Sequence, residues 1–179
     1  MTRREHGYSM AEVLSVIGIL ILVGAISFSR AQEQWRSEES RSVVNELAGW
    51  VGSVHRAALR GKRCAVTLVP TTSPDPLQGG AVAGVAREMD DTDPIDNGCL
   101  AHSPLVIQSV PSSTRFTITP RNITFSFTPR GTVAQPSINP LELRVAIASG
   151  GATSCLRLVG ILGTVKIGSL QGNSCVYLP

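Results

Sequence analysis

Residues 13–29 form a run without one charged side chain, directly after Glu12 and a leader that carries Arg3, Arg4 and Glu5. No other feature of the chain restricts its fold as strongly. As a helix this run is about 26 Å long at 1.5 Å per residue. A hydrocarbon core of about 30 Å is crossed by roughly 17–25 apolar residues, and residues 8–10 extend the run toward that length. The two arginines ahead of it place the leader in the cytoplasm and the bulk of the chain across the membrane by the positive-inside rule. Glu12 is out of place there. A carboxylate inside a membrane helix costs roughly 2.5–3.5 kcal/mol, so its presence implies a partner. A cut after Gly7 supplies one: a new ammonium at Tyr8, one helical turn away or on a neighbouring chain.

Two plainer readings stay open at this point. A secretory signal has a basic n-region, an apolar h-region and a small-residue cleavage site such as Ser29-x-Ala31. Glu12 interrupts such an h-region, and the downstream sequence continues in a helical pattern without a break. A simple single-pass anchor accounts for the run but leaves Glu12 and the Gly7 junction unexplained.

The rest of the chain has room for one domain beyond this segment. Helical periodicity carries on: Val44, Leu47, Val51, Val54 and Ala58 recur at 3-4-3-4 spacing on one face, with Arg41, Asn45, Ser53, Arg56 and Arg60 opposite. No proline precedes Pro70, and Gly61 is a stop signal. A helix over 8–60 is about 80 Å long. After Gly61 the period changes to two. Strands are expected over 63–69, 105–110, 115–119, 123–128, 141–148, 155–162 and 164–167, punctuated by Gly and Pro at hairpin-like intervals. Residues 70–98 are rich in Pro, Gly and Asp and read as a long loop. The class expected is α+β: a long N-terminal helix, with a transmembrane half (8–29) and an amphipathic half (30–60), packed on an antiparallel β-sheet head (61–179) with an insertion over 70–100. Aromatic residues make up only 4 % of the chain, so the core must rest on Val, Ile and Leu. Cys64, Cys99, Cys155 and Cys175 all follow the apolar run, with no C-x-x-C pair among them. An even count in an extracytoplasmic domain reads as two disulfides. Pairing Cys64 with Cys99 and Cys155 with Cys175 closes one loop each.

A charged leader ending in Gly7, an apolar segment opening at Tyr8 and an acid five residues past the glycine resemble the processing and assembly signature of type IV pilins and of type II secretion pseudopilins. The resemblance implies that a prepilin peptidase removes residues 1–7 and methylates Tyr8. It also implies that Glu12 pairs with the amine of an adjacent subunit and sets axial register. The partners implied are other pilin or pseudopilin subunits, the peptidase and an inner-membrane assembly platform. The location implied is the bacterial inner membrane as a single-pass protein, then an extracytoplasmic filament. The stretch Ile123-Thr124-Phe125-Ser126-Phe127-Thr128-Pro129-Arg130-Gly131-Thr132 looks like the F-x-P-x-G-T segment of the FimT/GspH type of minor pilin. Residues 47–68 are similar to that type's helix end and first strand, and residues 156–167 to its closing hairpin. Ser29 stands where many major pilins carry a helix-kinking proline, a departure that fits a minor subunit. The function implied is structural, a minor pilin, with a GspH-type pseudopilin of protein export and a DNA-binding pilin of natural transformation as the alternatives.

The sequence contains no catalytic constellation: no G-x-S-x-G, no H-E-x-x-H and no phosphate-binding loop, while His55 and His102 stand alone. No enzyme and no cofactor are expected. Glu88, Asp90, Asp91, Asp93, Asp96 and Asn97 offer oxygen ligands for calcium, but the spacing misses the D-x-[DN]-x-[DN]-G pattern and Pro94 interrupts it. A formal charge of +3, or +2 without the leader (3 − 2 + 1), does not by itself imply nucleic acid. Some FimT-type pilins bind DNA through a G-R-x-R motif, and the matching stretch here is Gly163-Thr164-Val165-Lys166, with one cation in place of two. Arg144, Arg157 and Lys166 are the candidates for a DNA-binding stripe on neighbouring strands, since guanidinium groups suit phosphate.

Overall fold

The computed structural model describes residues 10–89, 99, 104–134, 141–159 and 162–177, excluding the side chains of residues 25–27 and 29. Helix α1 spans Met10–Ala58. Its end is set by Gly61, whose positive φ of 97° suits a residue without Cβ. The N–H groups of Gly61 and Lys62 both donate to the carbonyl of Ala58 there, satisfying the last turn. His55 and Arg56 place cationic or polar groups against the negative end of the helix.

Eleven strands follow among the described residues: β1 (Cys64–Leu68), β2 (Leu77–Gln78), β3 (Val82–Glu88), β4 (Leu105–Val106), β5 (Arg115–Thr119), β6 (Ile123–Phe127), β7 (Val133–Ala134), β8 (Leu141–Ile147), β9 (Ser154–Val159), β10 (Thr164–Gln171) and β11 (Ser174–Tyr177). They form two antiparallel sheets. One has the order β4-β3-β1-β6-β7, the other β11-β10-β9-β8-β5-β2. The alternation predicted from sequence is visible in burial: Leu141, Leu143, Val145 and Ile147 of β8 point inward, and so do Val66 and Leu68 of β1 and Phe125 and Phe127 of β6.

Two expectations are corrected here. A single antiparallel sheet beside a half-transmembrane helix does not describe this chain. The globular part is β-rich, with two large sheets closing over one core, and two of the strands, β2 and β3, lie inside the segment that reads as a loop. Gly79, Gly80 and Ala81 link them, and the density of Pro and Gly around them conceals a seven-residue strand, β3, of which residues 84–88 form a ladder with β1. The single-pass inner-membrane location is corrected as well: among the described residues no helix is long and apolar enough to cross a membrane.

Only the C-terminal half of α1 enters the core. Val43, Val44, Leu47, Val51, Val54 and Ala58 are buried against strands of both sheets. Full burial of a Val or Leu side chain contributes about 1.5–3 kcal/mol, so this stripe holds the helix to the head. Polar ties supplement it. The Glu46 carboxylate accepts the N–H groups of Gln108 (3.0 Å) and Ser109 (3.0 Å), and Ser40 Oγ donates to the carbonyl of Ala152 at 2.8 Å and contacts Ser154 Oγ. Gly84 leaves room for the Trp50 ring, which a Cβ there would approach to 3.1 Å.

The six-stranded sheet rolls up at its β11 end. Gly168 of β10 pairs with Cys155 on one side and Tyr177 on the other. A Cβ at this position would lie 2.3 Å from the carbonyl oxygen of Val176, so glycine is what lets β11 fold over. The Cys155–Cys175 disulfide then joins β9 to β11 with a Cα separation of 6.1 Å. The second disulfide, Cys64–Cys99, fastens residue 99 to β1.

Candidate functional site

Two regions have chemistry that the core does not consume. The first is the free end of α1. Gly7 and Tyr8 lie outside the described residues. Glu12 stands in the first helical turn, where its carbonyl accepts the hydroxyl of Ser15 at 2.8 Å. Around it, Val13, Leu14, Val16, Ile17, Ile19, Leu20, Ile21, Leu22 and Val23 are all exposed, from 47 % to 67 %. These residues surround the helix rather than forming a stripe. A helix that is apolar on every side belongs inside other protein or lipid, and contiguous exposed apolar surface of this kind marks an interaction site.

The second region is the outer face of the rolled sheet, and it contains the three candidate basic residues. Register sets Glu142 beside Arg157 and Arg157 beside Lys166 across β8, β9 and β10. Arg144 donates from Nε and from a terminal nitrogen to Glu142 Oε1, at 3.1 and 3.0 Å, and also reaches the carbonyl of Asn173. The Tyr177 hydroxyl donates to Glu142 Oε2 at 2.8 Å. The Arg157 guanidinium lies 5.5 Å from the centre of the Tyr177 ring, and its Nε is buried without a hydrogen-bond partner. Arg144 and Arg157 are therefore engaged in clamping the β10–β11 hairpin to the sheet. They do not form an open stripe of cations with Lys166. The sequence signal for this clamp is thin, since Glu142 and Tyr177 are 35 residues apart and meet only because the sheet rolls.

Burial pushes the Tyr177 hydroxyl far above its ordinary range, and the hydrogen bond to Glu142 and that carboxylate's charge add to the shift, while Arg157 and Arg144 oppose it. The unfolded chain releases this proton near pH ~10, whereas the folded chain keeps it. The stabilisation is thus complete below that pH and is lost as pH rises through the folded value. The chemical-denaturation midpoint is expected to fall more steeply above about pH 10 in the wild type than in Tyr177→Phe. Parallel alkaline limbs would show that Tyr177 is not held by Glu142.

The remaining candidates are structural where they are described. Glu88 pairs with Lys62 at 3.0 Å, while Asp90, Asp91, Asp93, Asp96 and Asn97 lie outside the described residues. Among the described residues no group of three or more His, Cys, Asp or Glu side chains is placed to hold a metal ion. The Nε2 of His55 is 2.9 Å from the carbonyl of Gly131, and its ring packs on Phe127 with centroids 4.9 Å apart, so it acts as a core side chain. His102 lies outside the described residues. All four cysteines are in disulfides, which suits an oxidising compartment.

Sequence reasoning did not single out Trp35. It is 74 % exposed and, with Phe28 seven residues upstream, lies on a different face of α1 from the buried stripe over 43–58.

Comparison with protein-family models, with curated proteins and with solved structures finds no match.

Proposed function

We propose that this chain is a structural subunit of a filament, of the minor-pilin kind, and that it assembles through the N-terminal half of α1. One observation supports this reading above the others. A head whose apolar side chains gather into one core carries a helix extension whose apolar residues are exposed on every side. An exposed Val, Leu or Ile side chain forgoes about 1.5–3 kcal/mol relative to full burial. Packing the extensions of several copies together recovers that free energy many times over. Two disulfides hold the head rigid in an oxidising compartment. The leader ending at Gly7 and the acid at Glu12 match the arrangement by which pilins are processed and placed in register.

The export pseudopilin would use the same helix, and nothing in the head favours it. DNA reception is disfavoured by the engagement of Arg144 and Arg157 in the Tyr177 clamp.

Intact-mass measurement on protein isolated from its native host is expected to show a chain beginning at methylated Tyr8. Glu12→Ala is expected to leave that mass and the folding of the head unchanged while filament incorporation drops. A mature N-terminus near Gln32 overturns the proposal, because the extension would then be absent from the finished protein.

A further inference from the structure

The two disulfides sit in unlike surroundings. Cys64 and Cys99 are both fully buried and belong to the core. Cys155 is fully buried as well, but its partner Cys175 is partly exposed on β11. That strand is the edge of the six-stranded sheet, and none of its residues is buried. It contributes no side chain to the core cluster. Besides its ladder with β10, β11 and its turn are held down by a short set of ties among the described residues. These are the disulfide, the Tyr177–Glu142 hydrogen bond, the Arg144 bond to the carbonyl of Asn173, and the Arg157 guanidinium against the Tyr177 ring. The noncovalent ties are made by partly exposed groups that exchange with water. Of the set, the disulfide alone does not come and go with thermal motion.

We propose that Cys155–Cys175 is a redox-operated latch: a dithiol reductant opens it in the folded protein and lifts β11 from the sheet, while Cys64–Cys99 stays bonded. The inference concerns the head and does not depend on the filament reading. A thiolate of the reductant attacks Sγ of Cys175, on the partly exposed residue, because disulfide exchange requires access to the sulfur. The bond between the two protein sulfurs breaks as a mixed disulfide forms, and the Cys155 sulfur leaves as a thiolate and takes up a proton. The second thiol of the reductant then attacks the mixed disulfide. It departs as an internal disulfide and leaves Cys175 as a thiol, so two electrons have passed from the dithiol to the protein. Re-oxidation reverses the exchange and closes the latch. The two states present different surfaces. In the closed one the Tyr177 ring lies against Arg157, whose Nε is buried without a hydrogen-bond partner. Opening withdraws that ring and bares Arg157 beside Lys166, its exposed cross-strand neighbour on β10.

The test uses the full-length chain under native conditions. It is treated with increasing dithiothreitol, quenched with iodoacetamide and mapped by mass, with backbone hydrogen exchange measured on the same samples. Cys155 and Cys175 are expected to be alkylated together, roughly tenfold or more faster than Cys64 and Cys99, because local opening requires less free energy than global unfolding. Exchange is expected to rise over 172–177 and to stay unchanged over β1, β6 and β8. Alkylation of all four cysteines at one rate means that the bonds open only when the whole head unfolds, and overturns the latch. Resistance of both bonds at every dithiothreitol concentration that leaves the head folded overturns it too. So does selective alkylation of Cys155 and Cys175 with exchange over 172–177 unchanged, because β11 is then held by its other ties.

Discussion

Phe127→Ala is expected to destabilise the head by about 3–5 kcal/mol, the range for removing a buried aromatic ring. Phe127 is fully buried and sits where three parts of the fold meet. Its ring meets Phe125 edge-on at 5.5 Å and 87°, and His55 of α1 at 4.9 Å. Its backbone pairs with Cys64 of β1. The turn at Gly163 closes from the other side, where a Cβ would come within 2.9 Å of the Phe127 ring. Truncation of the ring leaves a cavity within the packed core, which adds to the lost transfer free energy. Domains of this size hold about 5–15 kcal/mol in total, so the loss is a large fraction. The check is the denaturation midpoint at constant slope. Phe127→Leu is expected to lose distinctly less. A change within about 0.5 kcal/mol for Phe127→Ala, the range of ordinary surface substitutions, would show that the two sheets do not meet on this ring.

Replacing Cys64 and Cys99 together with alanine is expected to cost about 4 kcal/mol. The bond closes a sequence separation of 35 residues, and in the chain-entropy account the penalty it removes from the unfolded state grows with the logarithm of loop length. Both cysteines are fully buried, so alanine leaves no unsatisfied polar atom behind. Treating the wild type with reductant under denaturing conditions, then measuring its refolded stability, is expected to lower the midpoint further than in this variant, because both disulfides are then open. The Cys155–Cys175 bond closes a shorter separation, 20 residues, and its removal is expected to cost about 3 kcal/mol. That variant is also expected to lose the steep alkaline limb, because Tyr177 reaches Glu142 only while β11 is rolled over the sheet. A loss below about 1 kcal/mol for the Cys64/Cys99 pair would mean that packing alone positions residue 99.

Much of the local structure was legible in the residues. Val44, Leu47, Val51, Val54 and Ala58 mark their buried face by spacing alone, because a helix brings every third or fourth side chain to one side. The inward residues of β8 are readable from the alternation in Leu141-Glu142-Leu143-Arg144-Val145-Ala146-Ile147. The two disulfides follow from closing one loop each. Other features were hidden. The strands β2 and β3 lie in a Pro- and Gly-rich segment whose composition favours loop, and they exist because β5 offers β2 a ladder and β1 offers one to β3. The basic residues Arg144 and Arg157 read as surface cations, yet their partners Glu142, Asn173 and Tyr177 reach them through a roll of the sheet that no local pattern encodes.

By itself the sequence determined where helix gives way to strand, which faces are apolar, which cysteines close loops, and that an uncharged run follows Glu12. Each of these depends on neighbours within a few residues, or on counting. The tertiary structure decided that the strands divide into two sheets, that the described part of α1 contains no membrane span, and that β11 folds over Gly168. These depend on contacts between residues far apart in the chain, whose free energies are settled only when the whole core packs at once.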